Sequence, residues 1–299
     1  MKSTMKEILN EKRKRYPKFC KLLQAYFVGT AYNWIAAQEG IQGKEQFWDM
    51  GEKTIIDIMK ILNISIDKII PMVFETITKL SAVDDKKRNF TEIVKNHYEN
   101  PLFVINAHLR FVYKNHVIRK KKIILNFIDS LLLKEAKICD LGFGAGVLLS
   151  SILERKKDWF GYGIDISRSC YNYALKRLEL LNLSNRADLS MGDIRKMKFK
   201  DNFFDVILAS EILEHIPNVE EGLKEIVRVL KPGKYAILCV PVQMPAIDHL
   251  YIFKDDKEIK ELYKKMRLEI DKFEIIELNP STHYTCSLCI NKKSTSGKI

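Results

Sequence analysis

The sequence predicts an α/β fold: a seven-stranded, largely parallel sheet with flanking helices over residues 134–299, preceded by an all-helical region over residues 1–133. Three observations predict it. Up to residue 133 apolar residues recur at three- and four-residue spacing, as in Ile55, Ile58, Met59 and Leu62, which is the period of a helix. After Lys134 short apolar runs alternate with amphipathic stretches, the pattern of βαβ units. The chain then ends on two apolar runs close enough for an antiparallel hairpin.

Taken in order, the front region breaks near Pro17, at 40–43, 63–65 and 84–89, and at Asn100-Pro101, which divides it into five or six helices. The last, over 102–133, runs almost directly into the first strand. No repeat or low-complexity linker separates the two regions, so the helices are expected to form an acceptor lid, a dimer contact or both. The strands are expected at Lys137–Leu141, Phe160–Asp165, Ala187–Met191, 204–209 and 235–240, then a helix over 255–267 and strands at 272–278 and His283–Asn291.

Composition narrows the class. At 299 residues and 46% apolar the chain can bury a core and one accessory region. No uncharged apolar run reaches eighteen residues, so no transmembrane segment is expected. The stretch 22–37 faintly imitates an export signal, but Gln24 and Asn33 interrupt it and it reads as an amphipathic helix. Six irregularly spaced cysteines argue against a disulfide framework and for a cytoplasmic protein. Cys139 and Cys239 sit in apolar strands, and the Cys286/Cys289 pair lacks the second pair that a zinc site needs. The net charge of +12 is uneven: residues 1–137 hold 25 Lys+Arg against 15 Asp+Glu, the remainder 25 against 23. Such a front region suits an anionic partner such as RNA, or reflects Lys-rich solvated helix faces.

The chemistry concentrates at strand ends. The first strand closes in Asp140-Leu141-Gly142-Phe143-Gly144-Ala145-Gly146 and opens a helix, where glycines let a backbone pass close to a ligand. A dinucleotide fingerprint would need glycine or alanine at 147, where Val147 stands. S-adenosylmethionine (SAM) fits better, having a cationic amino-acid end for Asp140 and no pyrophosphate. The second strand ends at Asp165, 23 residues after Gly142, where a carboxylate can accept from both hydroxyls of a ribose. Asp193 and Ile194 close the third strand, at the level of an adenine amine and ring face.

The fourth strand leads into Ser210-Glu211-Ile212-Leu213-Glu214-His215, and Leu230-Lys231-Pro232-Gly233 precedes the fifth. With the preceding motifs, this chain resembles the class I SAM-dependent methyltransferases over 137–242, in particular the small-molecule branch that includes ubiquinone and menaquinone methyltransferases. The resemblance implies a Rossmann-like core and a site for SAM and its product S-adenosyl-L-homocysteine (SAH) lined by Asp140, Gly142, Gly144, Gly146, Asp165, Ile166, Asp193, Ile194 and Ser210. Asp205 is expected to support the sheet edge and turn.

Methyl transfer from a sulfonium needs an aligned acceptor and excluded water, and for a hydroxyl acceptor it gains from a base. His215 is the candidate, with His249 and His283 behind it; His215 also reads as a packing residue. Some quinone O-methyltransferases and small-RNA 2′-O-methyltransferases resemble the chain at Glu211, Glu214 and His215, where they bind a divalent metal; His249 would be the fourth ligand of such a site. The leading reading is O-methylation of a small molecule. RNA methylation through the basic clusters 12–15 and 119–122, and a non-catalytic SAM-binding scaffold, are the alternatives.

Overall fold

The computed structural model describes residues 14–18, 21, 45–69, 98, 101–246 and 248–292. Most helices expected before residue 98, including 22–37, and Lys12 and Arg13 of the first basic cluster lie outside the described residues. The chain divides into two compact units, Met1–Asp84 with Leu102–Tyr113, and Asp85–Pro101 with Lys114–Ile299.

In the first unit, α1 (Glu45–Leu62) buries Ile55, Ile58 and Ile61 and ends at Asn63, whose left-handed φ of 53° makes the break expected there. Val104 and Ile105 are buried in α2 (Pro101–Tyr113). The single helix expected over 102–133 is two helices: Lys114 is extended and separates α2 from α3 (Asn115–Ser130). No glycine or proline marks the break. It lets α3 turn its own stripe, Val117, Lys120, Ile124, Phe127 and Ile128, onto β5, β6 and β7 of the sheet.

The second unit is the seven-stranded sheet, in the order β3-β2-β1-β4-β5-β7-β6. Its strands are β1 (Lys137–Leu141), β2 (Phe160–Asp165), β3 (Ala187–Met191), β4 (Phe204–Ser210), β5 (Leu230–Val242), β6 (Leu268–Glu277) and β7 (His283–Asn291). The first five run parallel, joined through α4 (Val147–Arg155), α5 (Arg168–Leu180) and α6 (Val219–Val229); β7 is antiparallel to both neighbours. α7 (Asp256–Lys265) precedes β6. Two strands begin earlier than expected. β5 begins at Leu230, pairing with Phe204 ahead of a register shift, so Pro232 and Gly233 lie in the strand's first part rather than before it. β6 starts at Leu268, opposite Asn291.

The core explains the strand composition. β4 and the second half of β5 are buried on both faces, and Ile207, Ala209, Leu238 and Val240 pack with Leu223, Ile226 and Val227 of α6. Asp205 acts as a strut, accepting from the Lys137 amide at 3.1 Å and the Lys231 ammonium at 2.8 Å. Strand order reverses between β1 and β4, and ligands of open α/β sheets bind at the carboxyl ends beside such a point.

Candidate active site

At that point β1 delivers Asp140 and then a turn with left-handed φ at Gly142, Gly144 and Gly146. Each glycine answers a different neighbour. A Cβ on Gly142 would lie 2.7 Å from Ile212 Cδ1, because the loop after β4 rests on the turn. One on Gly146 would crowd Ala174 of α5 at 3.1 Å. Around Gly144 there is nothing within 4 Å, so the turn is open there.

Asp140 is buried, and its Oδ2 has no hydrogen-bond partner. Burial, with the neighbouring Asp165 charge, pushes its pKa up to about 8. Asp165, at the end of β2, closes the turn: Oδ2 accepts from the Gly144 amide at 2.8 Å and Oδ1 from the Ser167 amide at 2.9 Å. Ile166 and Ser210, at the ends of β2 and β4, are half-buried. Beyond β3, Asp193 is gripped by the Arg195 guanidinium at 3.0 Å; burial alone would raise its pKa, yet that grip holds it below the ordinary value. Ile194 lies almost wholly within the core, beneath the surface the resemblance would give it.

These residues fit SAM. A buried carboxylate oxygen with no partner answers an ammonium group, and the open side of Gly144 admits a close ligand. When bound, SAM supplies an electrophilic methyl group. Asp140 would hold its amino-acid end, Gly144 would give room, and the Asp165 carboxylate would meet the ribose hydroxyls.

Beside the turn, the loop after β4 carries a short 3₁₀ turn, Leu213–His215. Glu214 is fully buried and neither carboxylate oxygen has a hydrogen-bond partner; burial pushes its pKa up to about 7. Its carbonyl accepts from the amides of Leu250 and Tyr251 at 2.8 and 3.0 Å, which fastens the loop after β5 over it. That second loop also orients both imidazoles. His215 Nδ1 lies 2.9 Å from the Asp248 carbonyl and His249 Nδ1 2.7 Å from the Met244 carbonyl. A neutral imidazole facing a carbonyl carries its proton on that nitrogen, so Nε2 of each keeps its lone pair. His215 Nε2 is 3.9 Å from Glu214 Oε1, and the two rings are 5.0 Å apart. Burial would lower the His215 pKa, but Glu214 and Asp248 raise it above the ordinary value; burial and His215 lower that of His249.

Of the four residues expected around a metal, Glu214, His215 and His249 bring ligand atoms within 4.8 Å of one another. Glu211 does not join them, because its carboxylate pairs with the buried Lys120 ammonium. The same pairing takes Lys120 out of the basic cluster 119–122, whose exposed members are Arg119 and Lys122. His283 is also set aside, with Nε2 2.7 Å from Asp256. The five described cysteines are buried and form no disulfide among themselves, and Cys286 and Cys289 belong to the β7 ladder.

Three further residues meet the site without a motif to announce them. The Tyr98 hydroxyl faces Asp248 Oδ2 at 3.4 Å, its ring meets His215 edge-on at 5.9 Å, and its carbonyl accepts from Ser167 Oγ at 2.6 Å. Asp248 thus joins Tyr98 to His215. Lys120 had a legible signal, since it falls on the buried stripe of α3 between Val117 and Ile124.

Comparison with known proteins gives the same reading of the core. The sterol 4-C-methyltransferase strm-1 of Caenorhabditis elegans is 31% identical over 150 residues, 49% of this chain and 41% of that protein. A ubiquinone biosynthesis O-methyltransferase of Nitrosomonas europaea is 27% identical over 152 residues, 50% of this chain and 63% of that one. The fold matches Haemonchus contortus phosphoethanolamine N-methyltransferase 2, solved with SAM, at a TM-score of 0.57 and 15% identity over 71% of this chain and 62% of that one. The chain therefore spans less than two thirds of each. Among the described residues no helix is long and apolar enough to cross a membrane. Residues 132–284, just over half of the chain, match the family described as a methyltransferase domain, and with the glycine turn and its buried acid in place the chain belongs to that family, the class I SAM-dependent methyltransferases.

Proposed function

We propose that this protein transfers the methyl group of SAM to an oxygen of a small-molecule acceptor, with His215 as the proton acceptor. What carries the reading is the anchoring of His215 Nδ1 on the Asp248 carbonyl, which leaves the Nε2 lone pair available in the loop beside the glycine turn. Glu214 and Asp248 raise the imidazole's basicity and stabilise the imidazolium that forms when a hydroxyl gives up its proton. The relatives named above act, by their names, at carbon, oxygen and nitrogen, so the acceptor atom is a property of these loops and not of the shared core. Screening metabolite extracts and RNA digests with methyl-labelled SAM tests the assignment: label on a hydroxyl oxygen of a small molecule supports it, and label on RNA or on carbon refutes it.

A second reading rests on a specific observation. Glu214 has two oxygens without partners, His215 Nε2 lies 3.9 Å from one of them, and a ring nitrogen of His249 falls within the same 4.8 Å group, a set that suits a divalent cation such as Mg²⁺ or Mn²⁺. The cation would orient and acidify the acceptor hydroxyl in place of a free base. EDTA abolishing turnover, with Mn²⁺ or Mg²⁺ restoring it, would favour this route; turnover indifferent to EDTA leaves His215 as a base.

A further inference from the structure

The residue after β4, Glu211, has φ of +56°, a left-handed conformation that a side chain other than glycine, asparagine or aspartate seldom adopts. Its amide donates to the Cys239 carbonyl at 2.9 Å, and its carboxylate is paired with the ammonium of Lys120. Lys120 is 2% exposed and also lies over the Tyr284 ring, 4.3 Å from its centre, while His116 stacks on that ring at 5.3 Å. Immediately after Glu211 the chain places Ile212 against Gly142 and then presents Glu214 and His215. A strained backbone residue persists where its surroundings over-determine it.

We propose that Lys120 is a positioning residue: by pairing with Glu211 it holds that residue in its left-handed conformation and so sets the loop that packs Ile212 on the glycine turn and carries Glu214 and His215. The pair joins α3 to the carboxyl end of β4, and Lys120 belongs to none of the motifs of the shared core. The link to ligand affinity rests on the cofactor lying at the glycine turn; the link to loop geometry does not.

Glycine at 211 separates this role from simple packing, since glycine adopts positive φ without a clamp. The full-length chain is compared as wild type, K120R, K120M and K120M/E211G, by calorimetric titration with SAH and by amide hydrogen exchange at Glu211 and His215. K120M is expected to weaken SAH at least about fivefold and to speed exchange at both amides about tenfold or more. K120R and K120M/E211G are expected to stay within about twofold of wild type in affinity, the double variant because it removes both the uncompensated carboxylate and the strain. The proposal is overturned if K120M exchanges like wild type, or if K120M/E211G loses as much as K120M, which would make Lys120 a ligand contact or a packing residue. Should K120M not fold, recovery of wild-type exchange in K120M/E211G supports the proposal and failure to recover it overturns it. Wild-type protein that binds no SAH refutes the cofactor placement alone, and the exchange comparison then decides the clamp.

Discussion

Binding of SAH should release a proton, and Asp140 should be its source. Burial holds this carboxyl near pKa 8 in the free protein, so at pH 7 about nine molecules in ten carry the proton. A ligand ammonium at the partnerless Oδ2 stabilises the carboxylate and drives the proton off. The release should be about 0.9 proton per SAH at pH 7 and close to one at pH 6. Ionising the side chain at pH 7 costs about 1.4 kcal/mol, so affinity should rise nearly tenfold between pH 6 and pH 7. Calorimetry at one pH in buffers of different ionisation enthalpy measures the release directly. D140N, which has no proton to lose, should release almost none and bind more weakly. Equal release from D140N and wild type, or tight wild-type binding with no release at pH 6, would refute the placement of the amino-acid end.

Other expectations follow from the same geometry. D165A should weaken SAH by about 1.5–3 kcal/mol in titration, the loss of a charge-assisted bond, with an unchanged circular dichroism spectrum. G142A should lower stability by about 2–4 kcal/mol in denaturant melts, since a left-handed backbone and the Ile212 overlap add, whereas G144A should cost about 1–2 kcal/mol and lose proportionally more SAH affinity. The folded pKa of Asp140 lies above its unfolded value, so its contribution to stability is complete below about pH 4 and is lost as pH rises towards 8. Thermal melts of the ligand-free D140N variant should therefore show a flatter pH dependence over that window than wild type. Once an acceptor is identified, H215A should cut kcat by about 10²–10⁴ with SAH affinity within about twofold of wild type; a loss of only a few fold per folded molecule would make its role packing.

The glycine-turn half of the candidate site was legible because its geometry is local. A strand, three glycines and an acid 23 residues on occupy fixed offsets, and the sheet brings Gly144 and Asp165 into contact without distant help. The half built by the loops after β4 and β5 was less legible because its partners are remote. Glu211 and Lys120 are 91 positions apart, and Asp248 reaches His215 from a loop whose sequence has no motif. The basic run at 119–122 read as a surface feature, although the α3 periodicity assigns Lys120 to the buried stripe. The break at Lys114 was missed because it comes from tertiary packing and not from a turn residue. The early start of β5 was hidden by Pro232 and Gly233, which ordinarily end a strand and here sit in its weakly paired first part.

The place of β7 bears on how the protein is made. This strand is the last of the seven to leave the ribosome, yet it lies between β5 and β6, and β6 has no other partner in the sheet. Until residues 283–291 emerge, the nascent chain carries an open edge on β5 and an orphaned β6, the kind of template on which strands of neighbouring chains misassemble. Tyr284, the ring beneath the Lys120 ammonium, arrives with the same strand. Closure of the sheet and completion of the packing around Lys120 are thus one late event, and a chain stopped ahead of residue 283 would leave both undone.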